Sequence, residues 1–206
     1  MTAKPNELGP RRRPRQRRSE ETRDRILDAA VEVFTEFGYA RGTTNRIAEW
    51  AEVSVGSLYQ YYPNKDAIVA ELVARHLDAG IAAATERRRT GMPESIGGVM
   101  RAIVGTAVGN HAHDPGFLRI LMEQAPRSHE LMTRVAELQH RAIGDMREIL
   151  QAQPDVVVAD EDAAARLVVA TVDVVVHQLL AAPDPLAASV VEDEVVAMLT
   201  RYLAGG

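Results

Sequence analysis

Apolar residues recur at helical spacing along most of this chain. Ile26, Ala29, Ala30, Val33, Phe34 and Phe37 fall at i, i+3, i+4, i+7, i+8 and i+11, one continuous apolar face. Ser19 is the expected N-cap of that helix, with Glu20 and Glu21 in its first turn, and Gly38 stands where a left-handed C-terminal cap belongs. Two short helical phrases follow within residues 43–62, before Pro63 closes the second and Asn64 caps a new helix from Lys65. That helix carries Ile68, Val69, Leu72, Val73, His76 and Leu77 and is expected to run toward Arg87–Arg89. Further amphipathic stretches span Met92–Asn110, a short segment opened by Asp114-Pro115, Pro126–Gln153, Asp160–Ala182 and Leu186–Ala204. The pattern predicts an all-α protein of about nine helices.

Residues 43–62, TTNRIAEWAEVSVGSLYQYY, differ from the rest. Thr43 and Thr44 offer a cap, and Ile47, Ala48 and Ala51 face inward; Ser54 then caps a second helix whose only clear anchor is Leu58. Val53 and Trp50 are also assigned to packing. One apolar anchor is too little for a helix buried on all sides. Two short helices, the second left bare for a partner, are what a helix-turn-helix requires.

Composition narrows the class. Aromatics make up 4%, and there is no cysteine, so disulfides and thiolate metal sites are excluded. The basic N-terminus has no apolar segment behind it, and no apolar run is expected to reach the length of a membrane span, Leu167–Ala182 coming nearest. A cytoplasmic protein without membrane contact is the expectation. Charge is polarised: residues 1–18 carry Lys4 and six arginines against Glu7, +6, so the remainder holds −11 of the net −5. A proline-rich basic arm, disordered over residues 1–18, on an acidic body points to a polyanionic partner reached through the arm.

The stretch from ILDAAVEVFTEFGYARGTT to RIAEWAEVSVGSLYQYYPNKDAI resembles the N-terminal domain of TetR-family transcriptional repressors. The resemblance covers about residues 20–75: F-x-x-x-G-Y, T-T, I-A, V-S-x-G-x-L-Y and N-K-D-A, in order. It departs at Glu52, where the family commonly has glycine. If that turn needs positive φ, glutamate costs of order 1 kcal/mol. The resemblance implies three parts: the arm, a helix-turn-helix domain over 19–78, and a helical ligand-binding and dimerisation domain over 79–206.

It also implies that the second short helix enters the major groove of an operator, expected to be palindromic, while the first crosses the backbone. The residue types suit that division. Thr43, Thr44 and Tyr62 offer hydroxyls to phosphates, and Arg46 and Lys65 offer charge, the latter beside the open amides of a helix start. Ser54, Val55 and Ser57 are small enough to approach base edges, and Gly56 permits close backbone approach. Gln60 is the candidate base reader, with Tyr59 and Tyr61 spanning phosphate and base. Arg11, Arg12, Arg13, Arg15, Arg17 and Arg18 are placed along phosphates or in a minor groove.

By the same resemblance the last two helices, 160–182 and 186–204, pair two chains into a homodimer, and an inducer pocket lies between earlier helices. Candidate pocket residues are Met100, Ile103, Val104, Phe117, Leu121, Met122, Met132, Val135, His140, Val172 and His177, a methionine-rich lining suited to a hydrophobic ligand. His111, His113 and Asp114 form an H-x-H-D cluster that lacks a third dependable ligand and reads as a polar loop, so no metal or cofactor is expected. Nor is an enzyme: there is no Ser/His/Asp ordering, phosphate loop or pair of carboxylates in an apolar frame. Asp173 and His177, at i and i+4, read as a buried polar contact or pocket group. An architectural DNA-binder without a ligand is the remaining alternative, separable by ligand-dependent thermal stabilisation.

Overall fold

A computed structural model describes residues 14–111, 115–124 and 128–205, with side chains from Arg17 onward. Arg11, Arg12, Arg13, His113 and Asp114 lie outside the described residues, and the side chain of Arg15 is likewise not described. The helices are α1 (Pro14–Arg41), α2 (Thr44–Trp50), α3 (Val55–Tyr61), α4 (Lys65–Arg89), α5 (Ile96–His111), α6 (Pro115–Gln124) and α7 (His129–Ala152). Then come α8 (Glu161–Ala170), a π-helical turn (Thr171–Val175), α9 (Val176–Leu180) and α10 (Ala188–Ala204). With the uninterrupted run Glu161–Leu180 taken as one, the described residues form nine helices and no strand. The all-α expectation holds.

The chain divides into two compact units, one ending at Ile68 and the other beginning at Val69. In the first, α1 packs on α2 and α2 on α3. The buried residues include most that the period placed inward, Ile26, Ala29, Ala30, Val33 and Phe34 from α1, Ile47 and Ala48 from α2, and Leu58 from α3; Leu27 is buried besides, and Phe37 is half-buried. Two expectations at the front of α1 are corrected. The helix starts at Pro14, ahead of Ser19, so Ser19 is internal and residues 14–18 are helical rather than part of a disordered arm. Proline suits a first helical turn, where its missing N–H forfeits nothing. Arg17 reinforces the added turn by pairing with Glu21 at 2.8 Å, i to i+4.

Gly38 interrupts α1 with φ 71° and ψ 164°, a conformation that is essentially glycine's alone, rather than the left-handed cap expected. The chain turns back far enough for Tyr39 to meet Phe34, ring centroids 5.6 Å apart. At Gly42 the reason for glycine is space. A Cβ there would stand 2.5 Å from Phe34 Cδ1.

The second unit buries a separate core. Ile96, Val99, Met100, Val104 and Val108 of α5 lie with Met146 and Leu150 of α7, Val168 of α8, and Val191, Val195, Leu199 and Leu203 of α10. Asp160 caps α8 by accepting from Ala163 N at 3.0 Å. An 18-residue window of Glu161–Leu180 has a mean hydropathy of 1.6 and, by length and composition alone, is long and apolar enough to cross a membrane, a test that core helices of soluble proteins also pass. That corrects the expectation that no run qualifies. Two acidic residues at its head and Asp173 and His177 within it interrupt the run less than its alanines and valines sustain it.

Candidate DNA-reading face and effector cavity

The turn between α2 and α3 explains why the second short helix projects. Ala51 ends α2, and Glu52 takes φ 54°. Glu52 N donates to Glu49 O at 3.1 Å and Val53 N to Ala48 O at 2.9 Å. That is the paired closure of a Schellman motif, whose αL residue is most often glycine. Glu52 therefore does occupy the position that the sequence comparison flagged, and bears the left-handed strain of about 1 kcal/mol. Ser54 opens α3 by accepting from Ser57 N at 3.0 Å, and Thr43 opens α2 by accepting from Arg46 N at 3.4 Å.

These bonds sort the candidate DNA-contacting residues. Val55, Gly56, Tyr59 and Gln60 are exposed on α3, with Ser57 and Tyr61 half-buried. The Tyr59 hydroxyl lies 3.1 Å from Thr44 Oγ1, which fixes the ring against the start of α2. Tyr62 turns inward and is 4% exposed, so it belongs to the core rather than to a phosphate-facing row. Its aromatic body beyond the end of α3 has more apolar area to bury than Leu58 alone supplies. Arg46 lies over the Phe37 ring, 4.3 Å from its centroid, and Nη1 donates to Arg41 O at 3.4 Å. Lys65 Nζ donates to Tyr39 O at 2.8 Å and stands 3.9 Å from the centroid of the Tyr39 ring.

Both cations are thus tied to the kinked end of α1, a cluster that spacing alone did not reveal. The Tyr39 hydroxyl bonds Asp66. Burial first, and then that carboxylate, push its pKa up to about 12. Asn64 caps α4 as expected, accepting from Ala67 N at 2.9 Å.

In the second unit a cavity of about 360 Å³ is walled by α4, α5, α7 and the α8–α9 run. Its α4 wall extends from Leu77 to Arg88, which at helical rise is about 16 Å. Of the expected lining residues, Ile103, Val135, Val172 and His177 are on the wall. The others are not. Met100 and Val104 point to the opposite side of α5 and are fully buried in the core, and Leu121 is buried away from the cavity. Met122, Met132 and His140 are exposed, and Phe117 is half-buried off the wall. The expected methionine-rich lining reduces to Met92 and Met146, with alanine, valine, leucine and isoleucine making up the rest of the apolar wall.

The polar groups of the wall gather toward two places. Arg87 and Arg88 sit near one end of the α4 wall, Arg88 paired with Asp145. The Arg87 Nε is buried with no hydrogen-bond partner among the described residues. Elsewhere on the wall lie Asn110, His111, Gln139, Asp173 and His177, with Gln139 Nε2 donating to Asp173 Oδ2 at 2.9 Å. His111 closes α5 and is buried, whereas H-x-H-D was expected to be a polar loop. It is 8% exposed, and its Nε2 is 3.0 Å from Nε2 of His76.

Sequence profiles agree with this division. Residues 26–72 match the bacterial regulatory proteins of the tetR family, and residues 95–203 match the tetracyclin repressor-like C-terminal domain. The second match alone covers more than half of the chain, and the chain belongs to the TetR family of DNA-binding transcriptional regulators. Among relatives, TcmR of Streptomyces glaucescens is 26% identical over 160 residues, 76% of this chain and 70% of that protein. YvkB of Bacillus subtilis is 40% identical over 55 residues, 27% of this chain; the match spans only 29% of YvkB.

Solved structures share the fold over nearly the full length. A TetR-like regulator from Rhodococcus sp. RHA1 superposes with a TM-score of 0.68 at 23% identity, over 90% of this chain and 97% of that one. FadR of Bacillus subtilis, in complex with stearoyl-CoA, gives 0.66 at 19% identity, over 87% and 98%.

Proposed function

We propose that the protein is a homodimeric repressor, acting in the cytoplasm, that leaves a palindromic operator when a small, mainly apolar ligand occupies the cavity. The cavity carries this reading. It lies within the second unit, most of which the C-terminal family profile spans, and its volume is that of a small-molecule site. Its lining is apolar apart from groups such as His177, Asn110 and Arg87. The buried Arg87 Nε favours a ligand with an acceptor or anionic group at one end and an apolar body along α4.

Exposed Val55, Gly56, Tyr59 and Gln60 supply the base-reading face, and Arg46 and Lys65 are released from the Phe37–Tyr39 turn to phosphates on binding. Exposed Leu167, Val174, Val190, Met198 and Tyr202 support pairing of two chains through the α8–α9 run and α10. Such a pair presents two α3 helices to two half-sites. Ligand then favours a dimer state whose α3 spacing no longer matches them.

The test is a gel-shift titration on DNA flanking the protein's own coding sequence, with a fatty-acid and aromatic ligand panel. The expected result is a salt-sensitive, sequence-selective shift that one ligand class reverses. Absence of any selective shift overturns the reading.

A further inference from the structure

Three histidines from three separate helices converge at the wall of the cavity: His76 of α4, His111 of α5 and His177 of α9. One nitrogen from each lies within 4.8 Å of the other two. The rings pack edge to face, His111 and His177 with centroids 4.0 Å apart, and His76 and His177 at 6.0 Å. Nothing in the DNA-reading or apolar-ligand account uses this cluster.

The outer hydrogen bonds decide which nitrogens face inward. His111 Nδ1 bonds the carbonyl of Ala107, and His177 Nδ1 bonds the carbonyl of Asp173. A carbonyl can only accept, so in both rings the proton is on Nδ1 and Nε2 carries a lone pair. His111 Nε2 therefore accepts from His76 Nε2–H, 3.0 Å away, and a cation taking that place requires the His76 proton to move to its Nδ1. His111 and His177, each with Nδ1–H held by a backbone carbonyl and Nε2 left to accept, are arranged as metal-ligating imidazoles are. Three nitrogens at 2.0–2.1 Å from a tetrahedral ion stand about 3.3 Å apart. The 3.0 Å pair and the 4.8 Å limit bracket that spacing.

We propose that His76, His111 and His177 form a three-nitrogen site for a zinc-like divalent cation, with its fourth position open to the cavity. All-imidazole donors without thiolate or several carboxylates suit Zn²⁺, Co²⁺ and Ni²⁺ rather than Mg²⁺ or Ca²⁺. Burial, and then the neighbouring His177, hold His111 down at about 4 and lower His76, which keeps both rings neutral and able to ligate near neutral pH. The π-helical turn Thr171–Val175 is a second sign of a built site. It contains Asp173 and directly precedes the helix that carries His177, and such turns recur at functional positions. Asp173, 3.6 Å from His177 Nδ1, adds a compensating negative charge beyond the ligand. If the effector reading holds, a donor atom of the ligand completes the coordination from the cavity side.

The test uses the full chain, tag removed and stripped with chelator, titrated with Co²⁺ and followed by visible absorption. The expected result is one Co²⁺ per chain with the intense bands of four-coordinate cobalt, displaced by Zn²⁺. His111→Ala and His177→Gln should each weaken binding at least about tenfold, while His140→Ala, on the exposed face of α7, should leave it unchanged. His76→Gln carries the test if His111→Ala fails to fold. A spectrum of six-coordinate cobalt only, or four-coordinate binding unaffected by His177→Gln and His76→Gln, overturns the proposal. Neither result bears on apolar-ligand release from DNA, which the gel shift measures separately.

Discussion

The two units solve different problems with the same kind of helix. The first has a small core around Phe34, Ile47 and Leu58 and devotes short helices to display. Its helix ends are set by bonds between residues three to five apart: Ser54 to Ser57, Asn64 to Ala67, Val53 to Ala48. The second has a large core and encloses a cavity that no local bond defines. Position within a display element is a local property, whereas a cavity is what remains when four helical segments fail to meet. The first kind of site therefore tolerates little change in its few anchors, and the second tolerates much change in its walls.

Truncating the anchor of α3 should break the first unit hardest. Leu58→Ala removes a side chain of 0% exposure and is expected to cost about 2–5 kcal/mol and abolish the DNA shift. Leu58 is absent from the second unit's core cluster, so ligand-dependent thermal stabilisation should persist. Loss of both responses in calorimetry would show that the units do not behave separately.

A wall substitution probes the other side. Ala107→Phe places a ring where the cavity is now bounded by a methyl group. Ligand release from DNA should weaken more than about tenfold as occupied volume replaces ligand volume, with operator affinity changed less than twofold. Equal loss of operator affinity in the same titration would contradict the division.

The smallest expected effect is a gain. Glu52→Gly relieves φ 54° at the helix-turn-helix corner and should stabilise the protein by up to about 1 kcal/mol, read as a rise of a few degrees in Tm. A fall in Tm would mean that the glutamate side chain, not its backbone, holds the corner.

The same contrast explains what could be read from the sequence. Thr43, Ser54 and Asn64 were legible as caps because a cap and its amide lie within one turn. Glu52 was legible as an αL position for the same reason. Ser19 misled because its cap signature is genuine, yet a proline farther upstream extends the helix. Tyr62 misled because its hydroxyl advertised a phosphate contact while its ring had a core to fill.

In the second unit, periodicity placed Met100 and Val104 on an apolar face without saying whether that face meets α10 or the cavity. His76 and His111, 35 residues apart, and His177 on a third helix share no local pattern. Only the packing of α4, α5 and α9 brings them together.

The central claim is that α3 reads sequence through its exposed face while charge elsewhere holds the DNA. The most direct test is fluorescence anisotropy on the footprinted operator and a panel of its single-base variants, comparing wild type with Gln60→Ala. The account predicts that Gln60→Ala loses about 1–3 kcal/mol of discrimination at one base pair per half-site and keeps its preferences elsewhere. The slope of log affinity against log salt should not change, because no phosphate contact is removed. Uniform weakening across the panel, with a shallower salt slope, would contradict it and make Gln60 a backbone contact.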